Sequence, residues 1–266
     1  DKINSLSKQL QDCSILFKND FKVLDIGLNK IHKLIVNIPE QYFSDQALEI
    51  IAGLRTYYNN RIKDPAFDKE NYMDCASILK FPSISDSFIP QSFKIMRLLD
   101  KDFSLESELL WRNLPRRNDL TAYLYSHLRS CYSIETPLLI LGHPGSGKSL
   151  LTIILSAQLM SSEFTFIRIP LRDVDSEASI VDQISNTIRN ITEIQLDSWT
   201  KFANSFKQSP LVIILDGYDE LLQTSGKVFA SYVRNIQNFQ MNEYEQGRPI
   251  RIIITSRITL IDKAHI

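Results

Sequence analysis

The stretch Gly142-His143-Pro144-Gly145-Ser146-Gly147-Lys148-Ser149 is where residue type and spacing point most directly to chemistry. It fits the pattern G-x-x-x-x-G-K-[ST], a loop that cradles phosphate. Glycines let the backbone take positive φ angles and come close to a ligand. The loop N–H groups then converge on phosphate oxygens, helped by the positive end of the helix that follows. Lys148 would bring a point charge to the β- and γ-phosphates, and Ser149 would offer its hydroxyl to Mg²⁺. His143 and Pro144 fill variable positions where the loop needs backbone donors, so His143 has no expected role as a base. Leu150, the first residue of a helix-forming run over 150–159, completes the expected nucleotide-contact set. The chemistry implied is the binding of a nucleoside triphosphate with Mg²⁺.

Two further stations end apolar runs. The run 211–215 delivers Asp216-Gly217-Tyr218-Asp219-Glu220. In an open α/β sheet, ligands bind at the carboxyl ends of the strands. Asp216 is therefore expected beside Mg²⁺, reaching it through a water. Gly217 stands where many phosphate-loop enzymes carry a catalytic glutamate. Here Asp219 and Glu220 follow instead, and one of them can orient or deprotonate the attacking water. Glu220 is the first choice. Both acids can equally open the next helix and favour its positive end. The run Arg251-Ile252-Ile253-Ile254 ends in Thr255-Ser256-Arg257. Arg257 either senses the γ-phosphate from the same crevice or caps the sheet at the surface.

The elements that must hold these residues follow from apolar periodicity. The runs 138–141, 164–169, 211–215 and 250–254 are continuous rather than alternating, as in strands buried on both faces. The segments between them are long enough for helical crossovers, which predicts a parallel sheet with helices on both sides. Upstream the period changes. Ile3, Leu6 and Leu10, then Leu24, Leu28, Ile31, Leu34 and Ile35, then Ala47, Leu48, Ile51, Leu54 and Tyr58 recur at helical spacing. Ser44 is placed to cap the last of these helices. Such stripes are read as helix-on-helix core. Pro82, Pro90 and the serines between them read as loop or linker. This places a domain boundary there: 1–93 as a helical linker or adaptor, 94–266 as the α/β domain. Two more helices are expected over 104–111 and 119–131.

Composition narrows the partners. The chain has 266 residues, 44% of them hydrophobic, and a net charge of −1. It can bury a real core, and it carries no general attraction for nucleic acid or anionic membrane. The three cysteines, Cys13, Cys75 and Cys131, are far apart and are expected to be reduced thiols in a cytoplasmic protein. No stretch is apolar and long enough to span a membrane. The sequence opens on Asp1 and is expected to be a piece of a longer protein.

Taken together, the three stations resemble those of NACHT-type STAND P-loop NTPases. Asp216-Gly217-Tyr218-Asp219-Glu220 is similar to that family's Walker B, with glycine after the aspartate and an acidic pair beyond. Thr255-Ser256-Arg257 is similar to its sensor 1. The resemblance covers about 118–257. It implies an ATP- or ADP-binding signalling switch with slow hydrolysis. It also implies a sheet in which another strand separates the Walker B strand from the phosphate-loop strand. Such proteins form homo-oligomers on activation, sense a protein trigger through C-terminal repeats and release an N-terminal effector. Many serve innate immunity in animals or antiviral defence in bacteria. Arg116-Arg117-Asn118-Asp119-Leu120 falls where relatives have a short segment near the adenine, and no specific role is carried over. The family's helical and winged-helix modules, with their histidine contact to the nucleotide, are not in this sequence. The N-terminal helices match no effector. Two other functions stay open. One is a turnover ATPase such as a motor or kinase, although no strand-tracking basic and aromatic groove and no arginine-rich lid stand out. The other is a module that holds nucleotide without hydrolysis.

Overall fold

The computed structural model describes residues 43–65, 82–96, 111–160, 163–175, 177–206, 210–225 and 230–258. Phe43–Ile266 group as one compact unit and Asp1–Tyr42 as another. The two helical stripes before residue 42, and most of the helix expected over 104–111, lie outside the described residues.

Helix α1 (Asp45–Arg61) begins where the sequence places it. The Ser44 hydroxyl accepts the Ala47 N–H at 3.2 Å. Asp45 in the first turn and Arg61 in the last complement the helix dipole. Its buried face is Ala47, Ile50, Leu54 and Tyr58. The expected stripe ran through Leu48 and Ile51, which are only half-buried. The face is turned slightly because α1 lies against another helix as well as the sheet. The serines of the expected linker include a second cap: Ser83 accepts the Asp86 N–H at 3.2 Å and opens the one-turn helix α2 (Ile84–Ser87). The helix expected over 119–131 is two pieces, α3 (Leu120–Arg129) and α4 (Tyr132–Glu135). It breaks at Ser130, whose hydroxyl donates back to the His127 carbonyl at 2.7 Å.

The sheet then builds strand by strand. Strand β1 (Leu138–Leu141) leads through the phosphate loop into α5 (Lys148–Gln158). Strand β2 (Thr165–Pro170) follows, then α6 (Ile180–Thr192) and the short α7 (Trp199–Asn204). Strand β3 (Leu211–Asp216) leads to α8 (Tyr218–Ser225) and α9 (Ala230–Glu245), and β4 (Ile250–Ser256) closes the set. The four strands are parallel in the order β1-β4-β3-β2. The described fold is thus the expected α/β P-loop NTPase core, a parallel sheet with helices packed around it. Strand β4 lies between β1 and β3, so the strands ending in Leu141 and Asp216 are not neighbours.

Every residue of β3 and β4 is buried. Burying each Ile or Leu contributes about 1.5–3 kcal/mol, which makes these two strands the stiff centre from which Asp216 and Thr255 project. A buried Arg248–Glu243 pair, with contacts of 2.6 and 2.9 Å, fixes the turn from α9 into β4. Helix α1 packs on α6, α5 and β2. Its Gly53 allows close approach, since a Cβ there would lie 2.8 Å from Thr192 Cγ2 at the end of α6.

Candidate nucleotide site at the carboxyl edge of the sheet

The phosphate loop is anchored at its first residue, where the Gly142 N–H donates to the Ser256 carbonyl at 3.2 Å. A turn follows, closed by Ser146 N–H to the His143 carbonyl at 3.1 Å. Gly145 and Gly147 have φ of 73° and 83°, values an L side chain resists. Gly147 in this left-handed conformation starts α5 directly. The first N–H groups of α5 therefore stay available for an anion. Lys148 Nζ donates to the Gly142 and His143 carbonyls at 2.8 and 3.0 Å, which holds the ammonium beside the loop. Burial draws its pKa below the usual lysine value. Asp219, Asp216 and Glu220 pull the other way, and Arg257 adds to the depression.

A cavity of about 300 Å³ opens over this loop. It is lined by Pro144, Gly145, Ser146, Gly147, Lys148, Ser149 and Leu150 on one side, and by Gly217, Asp219, Glu220, Thr255 and Arg257 on the other. Gly142 and His143 support the loop from outside the cavity lining. The three stations read from the sequence therefore meet at one place.

Asp216 is set back from the cavity. It is 4% exposed, and both its oxygens have partners. Oδ1 accepts from the Thr255 hydroxyl at 2.6 Å. Oδ2 faces the Thr152 hydroxyl at 3.1 Å and the Arg168 guanidinium at 2.5 Å. Thr255 in turn accepts the Gly217 N–H at 2.8 Å, which ties the ends of β3 and β4 together. Gly217 has φ 86°, so the chain turns sharply after Asp216 and α8 starts at once. A Cβ on Gly217 would come within 3.3 Å of Glu220 Cδ. The turn thus brings Glu220 back over the strand end, and the position after Asp216 suits glycine rather than an acid.

The acidic pair divides. Asp219 is 4% exposed, and its Oδ2 lies 2.7 Å from Arg257 Nε. Glu220 is half-buried, and both acids line the cavity. Both lie in the first turn of α8, as the helix-opening reading also expected. Arg257 lines the cavity and pairs with Asp219.

Sequence reading missed Thr152 and Arg168. Each left a signal: a hydroxyl within Leu150-Leu151-Thr152-Ile153-Ile154, and a lone charge within Phe166-Ile167-Arg168-Ile169. A polar residue inside a buried apolar run needs a partner, and here the two bind each other and Asp216.

The geometry fits the groups such a loop holds. Positive-φ glycines, the start of α5 and Lys148 suit phosphate oxygens. Ser149 at the first turn of α5 and the free side of Asp216 Oδ1 suit Mg²⁺ and its waters. Among the described residues no group of three or more His, Cys, Asp and Glu could hold a metal ion. Mg²⁺ bound with a nucleotide generally keeps several waters and takes one or two protein ligands beside the phosphates. No helix of the described residues is long and apolar enough to cross a membrane. Cys131 is free and exposed, and Cys13 and Cys75 lie outside the described residues.

No curated protein matches the chain. Residues 138–266 match the family model described as ATPase family associated with various cellular activities (AAA). The match spans the phosphate loop, all four strands and the acidic strand end. It agrees with the loop and sheet geometry, and the matched segment is similar to the nucleotide-binding P-loop domains of that ATPase family.

Proposed function

We propose that this chain is a nucleotide-gated switch of the NACHT-type STAND kind. It binds ATP with Mg²⁺, hydrolyses it slowly, and couples its nucleotide state to homo-oligomerisation and effector release in cytoplasmic immune or antiviral defence. The observation that carries the reading is the strand end at 216–220. Glycine at φ 86° follows the Walker B aspartate, and the acids sit one helical turn on. The ion pair of Asp219 with Arg257 adds support, since it joins the Walker B turn to the sensor-1 strand.

In this reading Lys148 and the loop N–H groups bind the phosphates. Mg²⁺, when bound, offsets phosphate charge and orients the chain's triphosphate ligand. Glu220 accepts the proton of the attacking water. Asp219 holds Arg257, and Arg257 reports the γ-phosphate. Residues 1–93 act as linker or adaptor, with α1 docked on the NTPase core. A protein trigger sets the nucleotide state.

The AAA match favours a second reading, a continuously turning-over ATPase. Light scattering of the full-length protein with its trigger, run beside single-turnover hydrolysis, separates the two. The switch predicts assembly with ATP, none with ADP, and turnover slower than assembly. Rapid turnover with no change of assembly state would favour the second reading.

A further inference from the structure

Arg168 is the one charged residue in β2, and its main chain and side chain bind partners on different elements. Strand β2 stands at the end of the order β1-β4-β3-β2, so its outer N–H groups have no strand partner among the described residues. The Arg168 N–H is instead taken by Tyr58 Oη of α1, at 2.8 Å. Tyr58 is 1% exposed and sits in the main core. The guanidinium binds α5 and β3. Nε donates to Thr152 Oγ1 at 2.9 Å, and Nη2 donates to Asp216 Oδ2 at 2.5 Å. The Arg168 side chain is 14% exposed and that of Asp216 is 3%.

A carboxylate offers about four lone-pair positions. Arg168 and Thr152 face two on Oδ2, and Thr255 takes one on Oδ1. A single acceptor position therefore remains, on Oδ1. Without Arg168, Oδ2 would lose its charged donor, and Thr152 could spend its one proton on the Ser149 carbonyl, 2.8 Å away. The carboxylate could then rotate.

We propose that Arg168 is a positioning residue that commits the Asp216 carboxylate to one metal-facing lone pair, and that Tyr58 fixes Arg168 from behind, so that α1 is coupled to the metal side of the nucleotide site. The inference rests on the reading that Asp216 faces Mg²⁺-bound water. Arg168 touches neither nucleotide nor metal and acts through Asp216 alone. Its loss should therefore spare metal-free nucleotide binding and weaken only what Mg²⁺ adds.

The test is calorimetric titration of ATP into the protein, with Mg²⁺ and with EDTA, for wild type, Arg168→Met, Arg168→Lys and Tyr58→Phe. In Arg168→Met the EDTA affinity should stay within about twofold, while the gain from Mg²⁺ should fall about tenfold, the low end for a residue that orients a metal partner. Arg168→Lys, which keeps the charge without the fork, should recover part of that gain. Tyr58→Phe should lose a smaller share and add nothing in the Arg168→Met background, as expected for residues acting in series. An unchanged or larger Mg²⁺ gain in Arg168→Met overturns the proposal, and so does an equal loss with and without Mg²⁺, which marks a structural role. If Arg168→Met does not fold, Tyr58→Phe decides: an unchanged Mg²⁺ gain overturns it. A wild type that binds ATP equally with and without Mg²⁺ refutes the underlying reading of Asp216, and this inference with it.

Discussion

Asp219 and Glu220 both line the cavity, but the Asp219 carboxylate lies 2.7 Å from Arg257 Nε and is nearly closed to solvent, while Glu220 is half-buried. A general base must reach the water it deprotonates, and an acid already committed to a buried ion pair is poorly placed for that. Glu220→Gln is therefore expected to bind ATP as wild type does and to hydrolyse it about a hundredfold more slowly, the low end of a general-base contribution. Paired calorimetric and phosphate-release assays check this. Normal turnover in Glu220→Gln would move the role to Asp219. The two acids were legible as a pair in the sequence, but their division of labour was not. It depends on a 2.7 Å contact from Arg257, just past the end of β4, which spacing along one strand does not encode.

At the scale of elements, the strands were the most legible part. Buried parallel strands are continuous apolar runs, and all four lie within two residues of their expected limits. The cap at Ser44 was legible for the same reason: a hydroxyl before an apolar stripe has one local partner to find. The break at Ser130 was not, because the helical pattern runs on through it. Neither was the polar layer of Thr152, Arg168 and Asp216, which forms only when α5, β2 and β3 come together. The turn between β3 and α8 carries its own prediction. At φ 86° an L residue costs about 1–2 kcal/mol, and a Cβ would press on Glu220 from 3.3 Å. Gly217→Ala should lose about that much unfolding free energy in urea and should also slow ATP hydrolysis. Wild-type stability would show that the turn tolerates a side chain.

Over the whole molecule, the described unit joins a helix far upstream to the NTPase core. Helix α1 covers the outer side of β2, and an exposed sheet edge is otherwise open to unwanted pairing. Gly53 leaves no room for a side chain there, since a Cβ would meet Thr192 Cγ2 at 2.8 Å. Valine at position 53 would improve helix propensity by a few tenths of a kcal/mol, but overpacking costs about 1–3 kcal/mol, so the crowding wins. Gly53→Val should be less stable in urea unfolding, by about 1–2 kcal/mol. Equal or greater stability would mean that α1 is free to move off α6.

All of this depends on the loop from Gly142 to Ser149 holding a nucleotide. The most direct measurement is calorimetric titration of Mg·ATP into wild type and Lys148→Ala. The loop geometry predicts saturable one-site binding in wild type and an affinity at least about tenfold weaker in Lys148→Ala, a loss of about 1.4 kcal/mol or more. Equal affinity in the two proteins would contradict the site.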